Sequence, residues 1–244
     1  KDNLIINIKM NTELTGFQKD VRDLLLNGVY NETSAILYNG GPEWANESTL
    51  EFKFWLSMRL IPWYVFGAYK LYQFVTSADK RKSIKPHPNF VEQLTGYICF
   101  LWLLVQIYAK TKTQTLIFIL NPCHVITLVW GLVLTKEYSK TTQVLFLYGL
   151  SNLMNPHIGM LFAENDELES QLEIISYWVQ HSIAAVVAPL ICLFGGRFAH
   201  KIYLNPITIM VGFQMFALYM RLVLTPISAL TWANLNHTLW GVDN

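Results

Sequence analysis

One thiol and three imidazoles fall inside apolar stretches of this chain, each beside amide side chains. The groups are Asn121-Pro122-Cys123-His124, then Asn152 with Asn155-Pro156-His157, then Glu173 and Tyr177 followed by Gln180-His181. In hydrocarbon an unpartnered polar group is costly, so such positions mark function by default. A thiol, imidazoles and amides on separate segments are the parts of an acyl-transfer site: a sulfur nucleophile, a base for its proton, and donors for the oxyanion of a tetrahedral intermediate. A thiol in apolar surroundings attacks poorly without a base. Cys123 is the candidate nucleophile and His181 its candidate base. His124 would point about 100° away from Cys123 on a regular helix, which disfavours it as that base unless Pro122 distorts the turn. Asn121, Asn155 and Gln180 are candidate oxyanion donors, with His124 a further supporting residue, and Tyr177 or Glu173 could orient the histidine. Tyr177 and His181, four residues apart, share a helical face. Cys99 and Cys192 read as small core residues, and with Cys123 they show no paired spacing, so neither a disulfide framework nor a zinc motif is expected.

The elements that must hold these residues are membrane helices. Of 244 residues, 52% are hydrophobic and only 14% charged, which is too apolar for a soluble domain of this size. The expected fold is all-α: a polytopic membrane protein with a bundle of about six transmembrane helices over residues 51–244, preceded by a polar extension over residues 1–50. Spans are predicted at 52–75, 91–109, 115–134, 142–163, 171–194 and 206–229, each about 20 residues, enough for a ~30 Å core. Lys53, Arg59 and Lys70, charges that could snorkel only near its ends, make the first the weakest candidate for a crossing. Pro122 falls near the middle of the third span, so a kink is predicted beside Cys123, and Asn155-Pro156 should break the fourth. With six crossings, Lys80, Arg81, Lys82, Lys85, Lys136, Lys140, Arg197 and Lys201 share one side, the cytosolic or matrix side by the positive-inside rule. Lys110, Lys112 and the acidic run from Glu164 to Glu169 share the other. The sequons at Asn31, Asn46 and Asn236 fall on that second side with both termini. Lys1 in place of an initiator Met fits a trimmed or processed start. A net charge of +1 gives no reason to expect nucleic acid as a partner.

The string Leu120-Asn121-Pro122-Cys123-His124, with Glu173, Tyr177 and Gln180-His181 downstream, resembles the transmembrane protein 164 family. Asn39-Gly40-Gly41-Pro42 and Asn234-Leu235-Asn236 resemble family segments at comparable positions, so the likeness runs from about residue 38 to about residue 236. That resemblance implies a multi-pass acyltransferase that moves a fatty acyl chain between glycerophospholipids through a thioester. Cys123 would carry the acyl group and His181 would act as general base. The implied partners are membrane lipids, an acyl phospholipid donor and a lysophospholipid acceptor, with no cofactor and no metal. Related multi-pass lipid hydrolases use a threonine nucleophile, and the cysteine here favours the transferase group. The host membrane expected is endoplasmic reticulum or another endomembrane, with the mitochondrial inner membrane as the alternative.

Other readings are open from the residues. The fold could serve as a non-catalytic accessory subunit of a larger membrane complex, with residues 1–50 contacting other membrane subunits. The chain could be a lipid ester hydrolase, or a haem protein with ligands among His124, His157 and His181. A transporter with broken helices is the remaining class, although no inverted repeat is visible.

Overall fold

A computed structural model describes residues 58–67, 69–70, 73, 86–161, 170–195, 197–198, 206–231, 233 and 235–237. The expectations for residues 1–50, for the basic cluster at Lys80 to Lys85 and for the acidic run from Glu164 lie outside these residues. The described chain is helical, with no strand among the described residues.

Seven helices can be followed. Helix α1 covers residues 58–67, inside the first predicted span. Helix α2, Phe90–Lys112, starts at Asn89, whose side chain accepts from the Glu92 N–H while Glu92 accepts from the Asn89 N–H. This reciprocal cap satisfies two orphan donors, and Lys110 and Lys112 in the last turn complement the carbonyl end. Gln114 then takes a left-handed backbone (φ 57°) and turns the chain into a 3₁₀ segment, Leu116–Leu120. Helix α3 is Pro122–Thr135 and α4 is Lys140–Ser151, the latter capped by Ser139 and Thr142 in a second reciprocal pair. Helix α5 is the short Met154–Leu161. Helix α6, Gln171–Phe194, contains one π-turn at Ile183–Val187. Helix α7 covers residues 206–231, with another π-turn at Met220–Leu224.

By length and composition, α2 and α6 are long and apolar enough to cross a membrane. The predicted third span is not one kinked helix. Asn121 has an extended ψ of 144°, and α3 begins afresh with Pro122 at its first position. There proline loses nothing, because its missing N–H would have no intrahelical partner. The fourth span is likewise two pieces, α4 and α5, separated at Asn152–Leu153.

Helix α2 packs along α3, α3 against α4, α4 against α7, and α6 against α2, α3 and α5. Glycines set the closest approach: a Cβ on Gly96 would meet Thr135 and the Gly131 carbonyl, and one on Gly131 would meet the Phe100 ring. Trp130, Phe146, Phe198, Ile126, Leu134 and Ala188 form the centre of the core, with Cys99 and Cys192 fully buried beside them. Elsewhere the burial pattern is inverted. The buried positions of α2 are Glu92, Thr95, Gly96, Cys99, Gln106, Ala109 and Lys110. Its outward face carries Phe90, Leu94, Tyr97, Leu101, Leu104 and Tyr108, a stripe at helical spacing that runs the length of the helix.

Arg197, expected as a solvated loop charge, is fully buried. Its Nε donates to Glu92 Oε1 at 2.8 Å, and its other nitrogens donate to the carbonyls of Lys136 (2.6 Å), Val133 (2.8 Å) and Leu134 (3.3 Å). One guanidinium thus satisfies the open end of α3 and ties it to the start of α2.

Candidate active site

Cys123 is the second residue of α3, so it sits where a helix opens rather than inside one. The helix has 14 residues, about 21 Å at 1.5 Å per residue, against about 35 Å for the 23 residues of α2. The far end of α3 is tied to the start of α2 through Arg197, so the shorter helix opens before the other end of α2 is reached. The loop and 3₁₀ segment before Asn121 cover that difference. Tyr219 of α7 donates to the Leu120 carbonyl at 2.6 Å, which satisfies a backbone acceptor at the break.

Cys123 is half-buried, whereas His124 and Thr127 are buried against α6. Gln180 of α6 bridges to α3: its Nε2 lies 2.8 Å from His124 Nδ1 and donates to Thr127 Oγ1 at 3.0 Å. Thr127 in turn donates to the Cys123 carbonyl at 2.8 Å. The buried Gln180 Oε1 and Asn121 Oδ1 have no hydrogen-bond partner. His181, the next residue of α6, makes its hydrogen bond through Nδ1 to the Tyr177 carbonyl at 2.8 Å, and its ring lies against the Tyr177 ring with centroids 3.9 Å apart. The Tyr177 hydroxyl donates to the Gly159 carbonyl of α5 at 2.5 Å. Gly159 faces the imidazole so closely that a Cβ there would stand 2.9 Å from His181 Nε2.

The structure therefore brings Cys123, His124 and Thr127 together with Gln180, and places His181 and Tyr177 on the adjoining turn. Among the described residues, no hydrogen bond joins the Cys123 sulfur to His181 or to another side chain. Tyr177 holds His181 through its carbonyl and its ring. Glu173 is engaged elsewhere: it lies 4.0 Å from Lys110 Nζ and accepts from Thr113 Oγ1 at 3.3 Å, two turns before His181. Asn155 donates to Asn152 Oδ1 at 3.4 Å, and His157 is exposed with Nδ1 2.6 Å from the Leu153 carbonyl.

Among the proposed oxyanion donors, Gln180 has both amide hydrogens committed, to His124 and to Thr127. The amide of Asn121, the residue before α3, makes no side-chain cap bond. Sequence reasoning missed Thr127 and Lys110. Thr127 lies four residues after Cys123, one turn along the same face, and that spacing was available as a signal. Lys110, buried in the last turn of α2, pairs with Glu173 of α6 at 4.0 Å; its place beside a loop gave no such hint. Compared with protein-family models, curated proteins and solved structures, the chain finds no match.

Proposed function

We propose that this chain is a polytopic membrane acyltransferase that carries a fatty acyl group as a thioester on Cys123, with His181 as general base. The reading rests on one observation: the Gln180 bridge locks the thiol-bearing opening of α3 to the turn of α6 that carries His181. The inverted burial of α2 supports a lipid surrounding, because polar and small residues pack inward while large apolar ones point out. About six apolar segments then form the bundle, with α3 and the α4–α5 pair as broken crossings whose non-helical backbone is shielded by neighbours.

A donor phospholipid brings its ester carbonyl to the sulfur, the lysolipid leaves, and the hydroxyl of an acceptor lysophospholipid attacks the thioester. Apolar helices keep water from the acyl-enzyme. Both the family resemblance of the Asn-Pro-Cys-His string and the chemistry of the assembled side chains favour this class.

The test is to incubate purified protein with a labelled acyl phospholipid and measure hydroxylamine-sensitive label on the chain. Cys123→Ala should abolish it, and His181→Ala should slow its appearance by about 100-fold or more, the usual scale for losing a general base. Equal labelling of wild type and both variants would remove the assignment.

A further inference from the structure

The bonds around Gln180 and Tyr177 point to which nitrogen of each histidine carries the proton. Thr127 has a single hydroxyl hydrogen, used on the Cys123 carbonyl. Its 3.0 Å contact with Gln180 is then an amide N–H donating to Oγ1, the orientation that gives each hydrogen its own acceptor. The same Gln180 nitrogen lies 2.8 Å from His124 Nδ1, so Nδ1 accepts, and neutral His124 holds its hydrogen on Nε2. His181 is the reverse. Its Nδ1 faces the Tyr177 carbonyl, which can only accept, so Nδ1 carries the hydrogen and Nε2 keeps a lone pair. The two rings are joined through α6, where His181 directly follows Gln180.

Resting on the acyl-transfer reading above, we propose that His124 and His181 divide oxyanion stabilisation from proton transfer: His181 Nε2 takes and returns the proton, and His124 Nε2–H donates a hydrogen bond to the acyl oxygen. Gln180 is the positioning residue that fixes this division. In the first half-reaction the Cys123 S–H proton passes to His181 Nε2 as sulfur bonds to the ester carbon and the carbonyl π pair moves to oxygen. That oxyanion accepts from His124 Nε2–H. The C–O bond to the glycerol then breaks, and the departing oxygen takes the proton back from His181. In the second half the acceptor hydroxyl proton goes to His181, its oxygen bonds to the acyl carbon, and sulfur leaves and recovers the proton.

Two measurements on the full chain in detergent micelles test this. With ¹⁵N-labelled histidine, assigned through single histidine variants, His124 should show the protonated-nitrogen shift at Nε2 and His181 at Nδ1. Separately, His124→Leu should slow thioester formation by about 100-fold, the scale for one oxyanion donor. It should leave unchanged the reaction of Cys123 with methyl methanethiosulfonate, which consumes the thiolate without building an oxyanion. His124→Gln, which retains an N–H, should recover part of the loss. His181→Leu should slow both reactions. The opposite tautomers, or His124→Leu slowing both reactions as His181→Leu does, in protein that forms the thioester, would overturn this division alone. Wild-type protein that forms no thioester would remove the acyltransferase reading and the roles built on it.

Discussion

At the scale of single residues, the space around His181 is held open by the absence of a side chain at Gly159. A Cβ there would stand 2.9 Å from His181 Nε2 and 3.1 Å from the Tyr177 hydroxyl, so any larger residue must push the imidazole or move α5. Gly159→Val is expected to reduce thioester formation at least tenfold while the protein stays folded, because α5 is short and its outer face is exposed. Labelling rate and thermal stability measured on the same preparation check this; unchanged labelling would mean that Nε2 does not face the reacting groups. The identities of Cys123, His181, Gln180 and Tyr177 were legible, since each is a polar group in an apolar run. Their pairings were not. Glu173 was as good an orienting partner by type and spacing as Tyr177, and only packing shows it engaged with Lys110 and Thr113.

At the scale of elements, what places Cys123 is the length and anchoring of α3. Arg197 holds that helix by its last carbonyls and pairs with Glu92 at the start of α2, both side chains fully removed from solvent. Removing one partner strands a buried charge, which costs about 3–5 kcal/mol. Glu92→Gln is therefore expected to lower stability by that order in a micelle unfolding experiment, and to lower thioester formation with it as α3 loses its register. A change below about 1 kcal/mol would mean that the pair is hydrated and does not hold α3. Helix ends were only partly readable. Pro122 announced a break, but periodicity alone cannot distinguish a kinked helix from a 3₁₀ segment followed by a new helix, because both keep the same run of apolar residues. The π-turns in α6 and α7 left no comparable mark, although one begins just after His181–Ser182 and the other just after Tyr219.

At the scale of the whole molecule, the inverted burial pattern makes a prediction that a soluble bundle would contradict. Leu101 lies on the outward stripe of α2, midway along a 23-residue helix. A charge at the centre of a membrane helix costs about 2.5–3.5 kcal/mol on insertion scales. Leu101→Lys should therefore reduce the fraction retained in alkali-washed membranes, whereas on a water-facing surface the same change would be neutral or improve solubility. Overexpressed protein assayed by membrane pelleting distinguishes the two.

The sequence by itself determined that the chain is helical and rich in apolar segments of spanning length, and which polar side chains stand out against them. Composition and periodicity act locally, and α6 was read with the bounds it has, 171–194. Tertiary structure alone decided that Arg197 is a buried clasp, that Tyr219 closes the backbone break before Cys123, and that Gln180 ties His124 and Thr127 to α6. Each of these is a hydrogen bond between residues more than fifty positions apart in the chain. The partners are fixed by where helices come to rest against one another, and no local rule of spacing contains that information.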